Sequence, residues 1–185
     1  MLEVKHASVS FDSTVPSRFA LRDISLSVAP GQIVSLVGSN GSGKSTLAAL
    51  MCAVLLGREG TVAVDGVDPV SDERSRLDVR RLVGLVRQNP LDQIVSTLVF
   101  DEVAFGPRNL GLSDLEVRQR VAEALDLCDL TGFEGRDTTA LSGGEQQRLA
   151  LAGVLAMHPR YLVLDEATSM LDSAIRSSFR NLVLQ

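Results

Sequence analysis

Gly38-Ser39-Asn40-Gly41-Ser42-Gly43-Lys44-Ser45-Thr46 decides how the rest of the chain is read. The apolar run Ile33-Val34-Ser35-Leu36-Val37 precedes it, and Leu47-Ala48-Ala49-Leu50-Met51 follows. That order predicts a buried strand, a glycine-rich turn and an apolar helix. A turn at a helix start aims unpaired backbone N–H groups and the positive end of the helix dipole at one point, which suits an anion. Glycines let the backbone close around phosphate oxygens without a Cβ in the way. Lys44 can then reach the outer phosphates, and the Ser45 hydroxyl can bind Mg²⁺. Gly38, Gly43, Lys44 and Ser45 occupy the fixed places of G-x-x-x-x-G-K-[ST]. The competing reading is a flexible glycine-serine turn ending in a surface lysine, and the flanking strand and helix patterns count against it. The stretch predicts a nucleoside triphosphate site.

At 185 residues the chain is within reach of one domain with a sizeable core. Hydrophobic residues at 45% and charged residues at 22% predict a globular protein rather than a disordered one. A net charge of −5 argues against a nucleic-acid groove. Met1-Leu2-Glu3-Val4-Lys5 lacks the apolar core of a secretory signal. No apolar run approaches the roughly 20 residues of a membrane-spanning helix, so a membrane role is expected to come through a partner. Cys52 and Cys128 each sit in an apolar helical pattern and read as small buried hydrophobes of a reducing compartment rather than a disulfide or metal site.

Alternation predicts strands over Leu2–Phe11 and Ala20–Val28, with a loop between them. The helix opening at Ser45 is expected to run to about Leu56, and Thr61–Gly66 reads as a strand entering a turn. Arg74, Arg76, Arg80 and Arg81 read as a solvated helix face. Leu82-Val83-Gly84-Leu85-Val86 is a second continuous apolar run and ends at Arg87-Gln88-Asn89-Pro90. From Leu91 to Leu112 the pattern weakens, and proline and glycine appear at Gly106-Pro107 and Gly111. Ser113 with Glu116 forms a capping box before an apolar stripe of Leu115, Val121, Leu125 and Cys128. Ser142-Gly143-Gly144-Glu145 is a second capping box, opening a helix from about Glu145 to Met157. Tyr161-Leu162-Val163-Leu164 is a third apolar strand, ending in Asp165-Glu166. The alternation predicts an α/β fold with a mostly parallel sheet and helices on both faces. Ligands bind such sheets at the carboxyl ends of the strands, where the phosphate loop, Gln88 and Asp165-Glu166 all fall.

Phosphoryl transfer to water needs charge neutralisation, a metal and a positioned water. Asp165 is the expected partner of Mg²⁺, and Glu166 beside it can orient or deprotonate the attacking water. Gln88 can reach the metal or the water through its amide oxygen; a polar turn residue is the alternative for it. Surface carboxylates at a strand end are the alternative for the Asp-Glu pair. Leu141-Ser142-Gly143-Gly144-Glu145-Gln146-Gln147-Arg148 is a further glycine-bearing helix start and so a second anion site, or else an ordinary helix cap. Two such sites in one chain make sense if a nucleotide is clamped between the loop of one copy and this turn of another.

LSGGEQQR resembles the signature motif of the ATP-binding cassette (ABC) ATPases. Together with Gly38–Thr46, Gln88 and the strand before Asp165-Glu166, it gives that family's motifs in order over essentially the whole chain. The resemblance implies a single nucleotide-binding domain over 1–185. It would have an N-terminal antiparallel β part, a P-loop core and a helical subdomain at about 88–145. It also implies a nucleotide-sandwich dimer, with Ser142 and Gly144 against the ATP held by the partner's loop, and Ser169-Met170-Leu171-Asp172 crossing the interface. Gln88–Thr97, Asp101–Pro107 and Asn109–Leu112 are similar to the ATPase subunits of energy-coupling-factor transporters and cobalt and nickel importers. That likeness implies ATP and Mg²⁺ as cofactors and vitamin or metal-ion uptake at the cytoplasmic face of the membrane. The implied partners are a second ATPase subunit, a transmembrane coupling protein docked after Gln88, and a substrate-binding membrane protein.

Some positions depart from the pattern. Arg87 stands where an apolar residue, often Phe, precedes the family glutamine. Ser13 stands where an aromatic stacks on adenine, leaving Phe11 or Phe19 as substitutes or as plain core. Ala167 replaces a common proline. The family's switch histidine lies about thirty residues beyond the glutamate, after one more strand, and neither His6 nor His158 matches it. The chain is therefore expected to be a truncated form that binds ATP better than it turns it over. The two other functions left open are a soluble cassette protein acting on DNA or ribosomes and a non-hydrolysing fragment.

Overall fold

Strand β1 (Leu2–Val9) is the centre of an antiparallel three-stranded sheet, flanked by β2 (Leu21–Val28) and β3 (Glu59–Val64). The computed structural model describes residues 1–11, 19–57 and 59–166. They fall into two compact units, Met1–Leu85 with Arg160–Val163, and Val86–Pro159 with Leu164–Glu166.

In the first unit, β1 buries Leu2, Val4, Ala7 and Val9. The even spacing from Leu2 to Val4 becomes odd at Ala7 because the ladder bulges there, with register shifts on both sides of β1. His6 is the pivot, at φ 50, and its N–H donates to Ser25 Oγ at 3.0 Å across the bulge. On the other flank the bulge presses onto Gly60, whose φ is +79. A Cβ at Gly60 would lie 2.4 Å from the carbonyl oxygens of both Lys5 and His6. Both obstacles are backbone, so nothing cheap can move aside. Gly60→Ala is expected to destabilise the protein by roughly 2–4 kcal/mol. A denaturant midpoint equal to that of the parent protein would show that the bulge gives way instead.

Helix α1 (Lys44–Met51) packs Leu47, Leu50 and Met51 into the same core as the sheet, with Val79 and Val83. It stops five residues short of the expected Leu56. Ala53 turns left-handed at φ 52, and the Arg80 guanidinium takes the Ala53 carbonyl at 3.1 Å. Arg80 is exposed, as the sequence reading of a solvated helix face expects, and in addition it ties α2 to the end of α1. Helix α2 (Glu73–Leu82) is capped by Asp72, which accepts from Ser75 N–H at 2.7 Å. It leads into β4 (Val83–Val86), which pairs with β5 (Tyr161–Leu164). The Arg160 N–H bonds the Leu82 carbonyl at 2.8 Å, and the Asp165 N–H bonds Val86 at 2.9 Å. Both partners ascend together, so this pair runs parallel. Asp65 ties the turn after β3 to β5: the Tyr161 hydroxyl donates to it at 2.8 Å, Arg160 pairs with it at 3.0 Å, and the Met1 amino group joins them.

The run Ile33–Val37 is not a strand. Val34 is 37% exposed and Val37 95%, and among the described residues no strand pairs with it. Apolar sequence becomes strand only when its N–H and C=O groups find a ladder, so the pattern alone is insufficient here.

In the second unit, three helices pack on one another: α3 (Val99–Asn109), α4 (Asp114–Leu127) and α5 (Gly143–Leu155). Helix α3 is not delimited by the sequence pattern, which weakens from Leu91 to Leu112 around Gly106-Pro107. Gly106 instead permits close packing, since a Cβ there would meet Met157 Cγ at 2.6 Å. Both expected capping boxes form, Ser113 with Glu116 and Ser142 with Glu145. Leu115 was expected in the core and is 67% exposed; Val117, Val121, Ala124 and Leu125 hold the buried face instead. A step of six residues from 115 to 121 does not stay on one face of a helix, whereas 117, 121 and 124 do. Cys52 and Cys128 are buried free thiols, and burial pushes each up to about 12, away from reactivity.

Candidate functional site

In the first unit, the phosphate loop folds back on its own lysine. Lys44 Nζ donates to the Gly38 carbonyl at 2.9 Å and the Ser39 carbonyl at 3.1 Å. The loop closes through the Ser42 N–H on the Ser39 carbonyl at 3.2 Å, with Asn40 and Gly41 at its tip. Gly43 caps α1 at φ 94, and a Cβ there would strike the Ala20 carbonyl at 2.6 Å and Leu21 at 2.8 Å. No side chain caps the helix and its first turn, with Ser45 and Thr46, holds no acid. The positive end of its dipole is therefore unopposed by any acidic side chain of its own first turn. An anion arriving at this loop meets backbone N–H groups, Lys44 and the Ser45 and Thr46 hydroxyls.

The second glycine-bearing helix start uses a different device. Ser142 N–H donates to Glu145 Oε2 at 2.7 Å, and the Ser142 hydroxyl meets the same oxygen at 2.6 Å. Those bonds hold the Glu145 carboxyl below its ordinary value. Residues Ser142, Gly143 and Gly144 thus open a helix whose N-terminus already carries an anion of its own. A phosphate approaching here has to share the turn with Glu145 or displace it.

Also in the second unit, Gln88 follows β4 and Glu166 follows β5. The Gln88 Nε2 donates to Glu166 Oε2 at 2.9 Å. This contact joins two residues that the sequence named separately. Glu166 has φ 52, a left-handed conformation that a residue with a side chain seldom takes. Asp165 is held to β4 through its N–H on Val86. Because Gln88 uses its nitrogen on Glu166, its amide oxygen is the end suited to a cation. A hydroxyl (Ser45), a carboxylate (Asp165) and an amide oxygen (Gln88) are hard oxygen donors of the kind Mg²⁺ takes alongside phosphates. Among the described residues, no group of three His, Cys, Asp or Glu side chains could hold a metal by itself.

A polar network that the sequence does not mark underlies the segment after Gln88. Glu102, only 8% exposed, accepts from Val95 N–H at 2.9 Å and Ser96 N–H at 2.7 Å. Thr138, also buried, donates to the Ser96 carbonyl at 2.8 Å, and Gln146 of α5 donates to the Thr138 carbonyl at 3.3 Å. Gln147 is 2% exposed and donates to the Arg87 carbonyl at 3.4 Å. The available signal was a glutamine in register with Leu151 and Val154, on the buried face of α5. Arg87 is itself exposed, as are Leu91, Val95, Leu98 and Phe105. Of the two candidate adenine platforms, Phe11 is 70% exposed and Phe19 has the Arg22 guanidinium 5.1 Å from its ring. Ser13, Ala167 and Ser169–Asp172 lie outside the described residues.

The family described as ABC transporter matches residues 21–169. An energy-coupling factor transporter ATP-binding protein of Symbiobacterium thermophilum is 48% identical over 166 residues, covering 90% of this chain and 58% of the relative. A cobalt import ATP-binding protein of Syntrophus aciditrophicus is 44% identical, covering 95% of this chain and 62% of the relative. The chain thus spans about three-fifths of the length of these relatives. Among solved structures, CbiO1 of Clostridium perfringens, part of the ABC transporter complex CbiONQ, superposes with a TM-score of 0.84 at 32% identity, covering 99% of this chain and 72% of that one.

Proposed function

The chain belongs to the ABC transporter family, and on that premise we propose that it is the ATP-binding and hydrolysing subunit of a membrane importer. The transported substrate would be a vitamin or cobalt or nickel ion, driven by ATP-dependent closure of a dimer. The contact between Gln88 and Glu166 carries the catalytic part of the reading, because it pairs an amide with a carboxylate at adjacent strand ends. The likeness to transporter ATPases carries the transport part.

In this reading Gly38, Ser39, Asn40, Gly41, Ser42, Gly43, Lys44, Ser45 and Thr46 hold the triphosphate by N–H groups, one ammonium and two hydroxyls. Ser45, Gln88 and Asp165 hold Mg²⁺, which neutralises phosphate charge when bound. Glu166 takes a proton from water as the water oxygen attacks the γ-phosphorus. The bond to the β–γ bridging oxygen breaks, leaving ADP and inorganic phosphate. Ser142, Gly143 and Gly144 face the nucleotide of a second ATPase subunit. One nucleotide-binding domain spans 1–185, with its helical subdomain at about 88–145. The exposed apolar residues after Gln88 dock a transmembrane coupling protein, which also carries a substrate-binding membrane protein. No nucleic acid takes part, and the subunit works at the cytoplasmic face of the membrane. Among the described residues no helix is long and apolar enough to cross a membrane.

Purification of the tagged chain from its own cells, followed by ATPase and uptake assays on the isolated complex, tests this. Recovery with integral membrane proteins and ATP-dependent uptake are expected. Recovery with soluble partners only, at measurable ATPase activity, would move the protein to the non-transport branch. ATP binding without phosphate release would leave a nucleotide-binding module.

A further inference from the structure

We propose that Gln147, on the helix opened by the signature turn, is a positioning residue for Gln88 and, through it, for Glu166. The inference rests on the ATPase reading above and adds a residue to which that reading gives no role.

The geometry is a short chain of contacts within the second unit. Gln147 Nε2 donates to the Arg87 carbonyl at 3.4 Å, a long bond that holds one face of the peptide leading into Gln88. Gln93 holds the preceding peptide, accepting from the Arg87 N–H at 2.7 Å. Gln88, fixed at its root, then donates to Glu166 at 2.9 Å. The Asp165 N–H on Val86 keeps the ends of β4 and β5 in step, so the two side chains meet. Helix α5 therefore reaches the candidate base in two hydrogen bonds and one peptide.

The burial of Gln147 gives the second argument. It is 2% exposed, and its Oε1 accepts no hydrogen bond among the described residues. A buried acceptor without a donor lowers stability, and an apolar side chain of equal volume avoids that cost. Leu149, Ala150, Leu151, Ala152 and Val154 of the same helix show that this environment takes apolar residues readily. Glutamine here is a poor choice for packing and a sound one for gripping the Arg87 carbonyl. A purely structural role predicts that methionine would weaken the enzyme only by weakening the fold. The positioning role predicts the opposite split.

The signature turn begins the same helix, one residue before Gly143. A nucleotide from a second subunit that displaces Glu145 from Ser142 would act on α5, and Gln147 carries that displacement to Gln88. Each site of a dimer would then sense the other through its own glutamine.

The test is Gln147→Met, with Gln147→Leu as a second variant. The first readout is the Gln88 side-chain NH₂ resonance in the nucleotide-free protein, identified by its loss in Gln88→Ala. We expect that resonance to shift while the melting temperature stays level or rises. In steady state, kcat should fall about tenfold or more with KM for ATP little changed, since the lost element is alignment rather than binding. An unmoved Gln88 resonance overturns the proposal, whatever the activity. Loss of fold in both variants makes Gln147 a core residue and overturns it as well. A parent protein without turnover would sink the hydrolysis reading alone, because the resonance can still be read.

Discussion

Glu166→Gln is expected to abolish ATP turnover while leaving ATP bound. The carboxylate stands at the end of β5 with Gln88 Nε2 on Oε2 at 2.9 Å, and a glutamine keeps both the size and an acceptor oxygen for that bond. What it loses is the capacity to accept a proton from water. General-base contributions of this kind amount to about 10²- to 10⁴-fold in rate, so phosphate release should fall by that order. Closure by ATP would no longer be relieved by hydrolysis, and ATP-bound dimers should accumulate. Phosphate release and size-exclusion chromatography with ATP measure the two halves of this expectation. Hydrolysis at the parental rate would remove Glu166 from the chemistry and leave its left-handed backbone, φ 52, without a catalytic purpose.

Where local chemistry decides the structure, the sequence is easily read. Ser113 with Glu116 and Ser142 with Glu145 form their capping boxes because each box closes within four residues. Strands β1, β2 and β3 follow from alternation, and the glycine-bearing starts of α1 and α5 stand where the motifs put them. What failed depends on contacts from elsewhere. Ile33–Val37 has the composition of a buried strand but no ladder among the described residues. Helix α3 is masked because its buried face carries Glu102 and Pro107. The carboxylate is satisfied by the Val95 and Ser96 N–H groups, and only the folded loop can supply those donors. Gln147 was legible as part of a motif and illegible as a contact, since its partner, the Arg87 carbonyl, lies 60 residues away.

The two helix starts show how one motif class can serve two tasks. Helix α1 has a left-handed glycine cap, no acid in its first turn and a lysine folded on the loop. In the proposed reading it receives the triphosphate outright. Helix α5 fills its own N-terminus with Glu145, so an incoming phosphate competes with an internal carboxylate. Binding there is expected to be weaker and conditional, which suits a surface that engages only when a second subunit presents a nucleotide already held elsewhere.

Lys44→Ala separates that gripping chemistry from the fold. In the protein without nucleotide, Nζ spends its hydrogen bonds on the Gly38 and Ser39 carbonyls, both open to water. Losing them costs little stability, because water replaces a solvent-accessible donor. With a triphosphate present, the same ammonium would exchange two neutral carbonyls for charged phosphate oxygens, and charge-assisted bonds are roughly twice as strong as neutral ones. ATP affinity is therefore expected to fall about 10- to 100-fold at an unchanged melting temperature. Gly43→Ala sets the contrast. Its Cβ would press on the Ala20 carbonyl at 2.6 Å from a backbone at φ 94, so binding and stability should be lost together. Calorimetric titration with ATP beside a thermal melt reads both variants. Parental affinity in Lys44→Ala would mean that the loop folds around its lysine for the sake of the loop alone, and the triphosphate assignment would have to rest on some other cation.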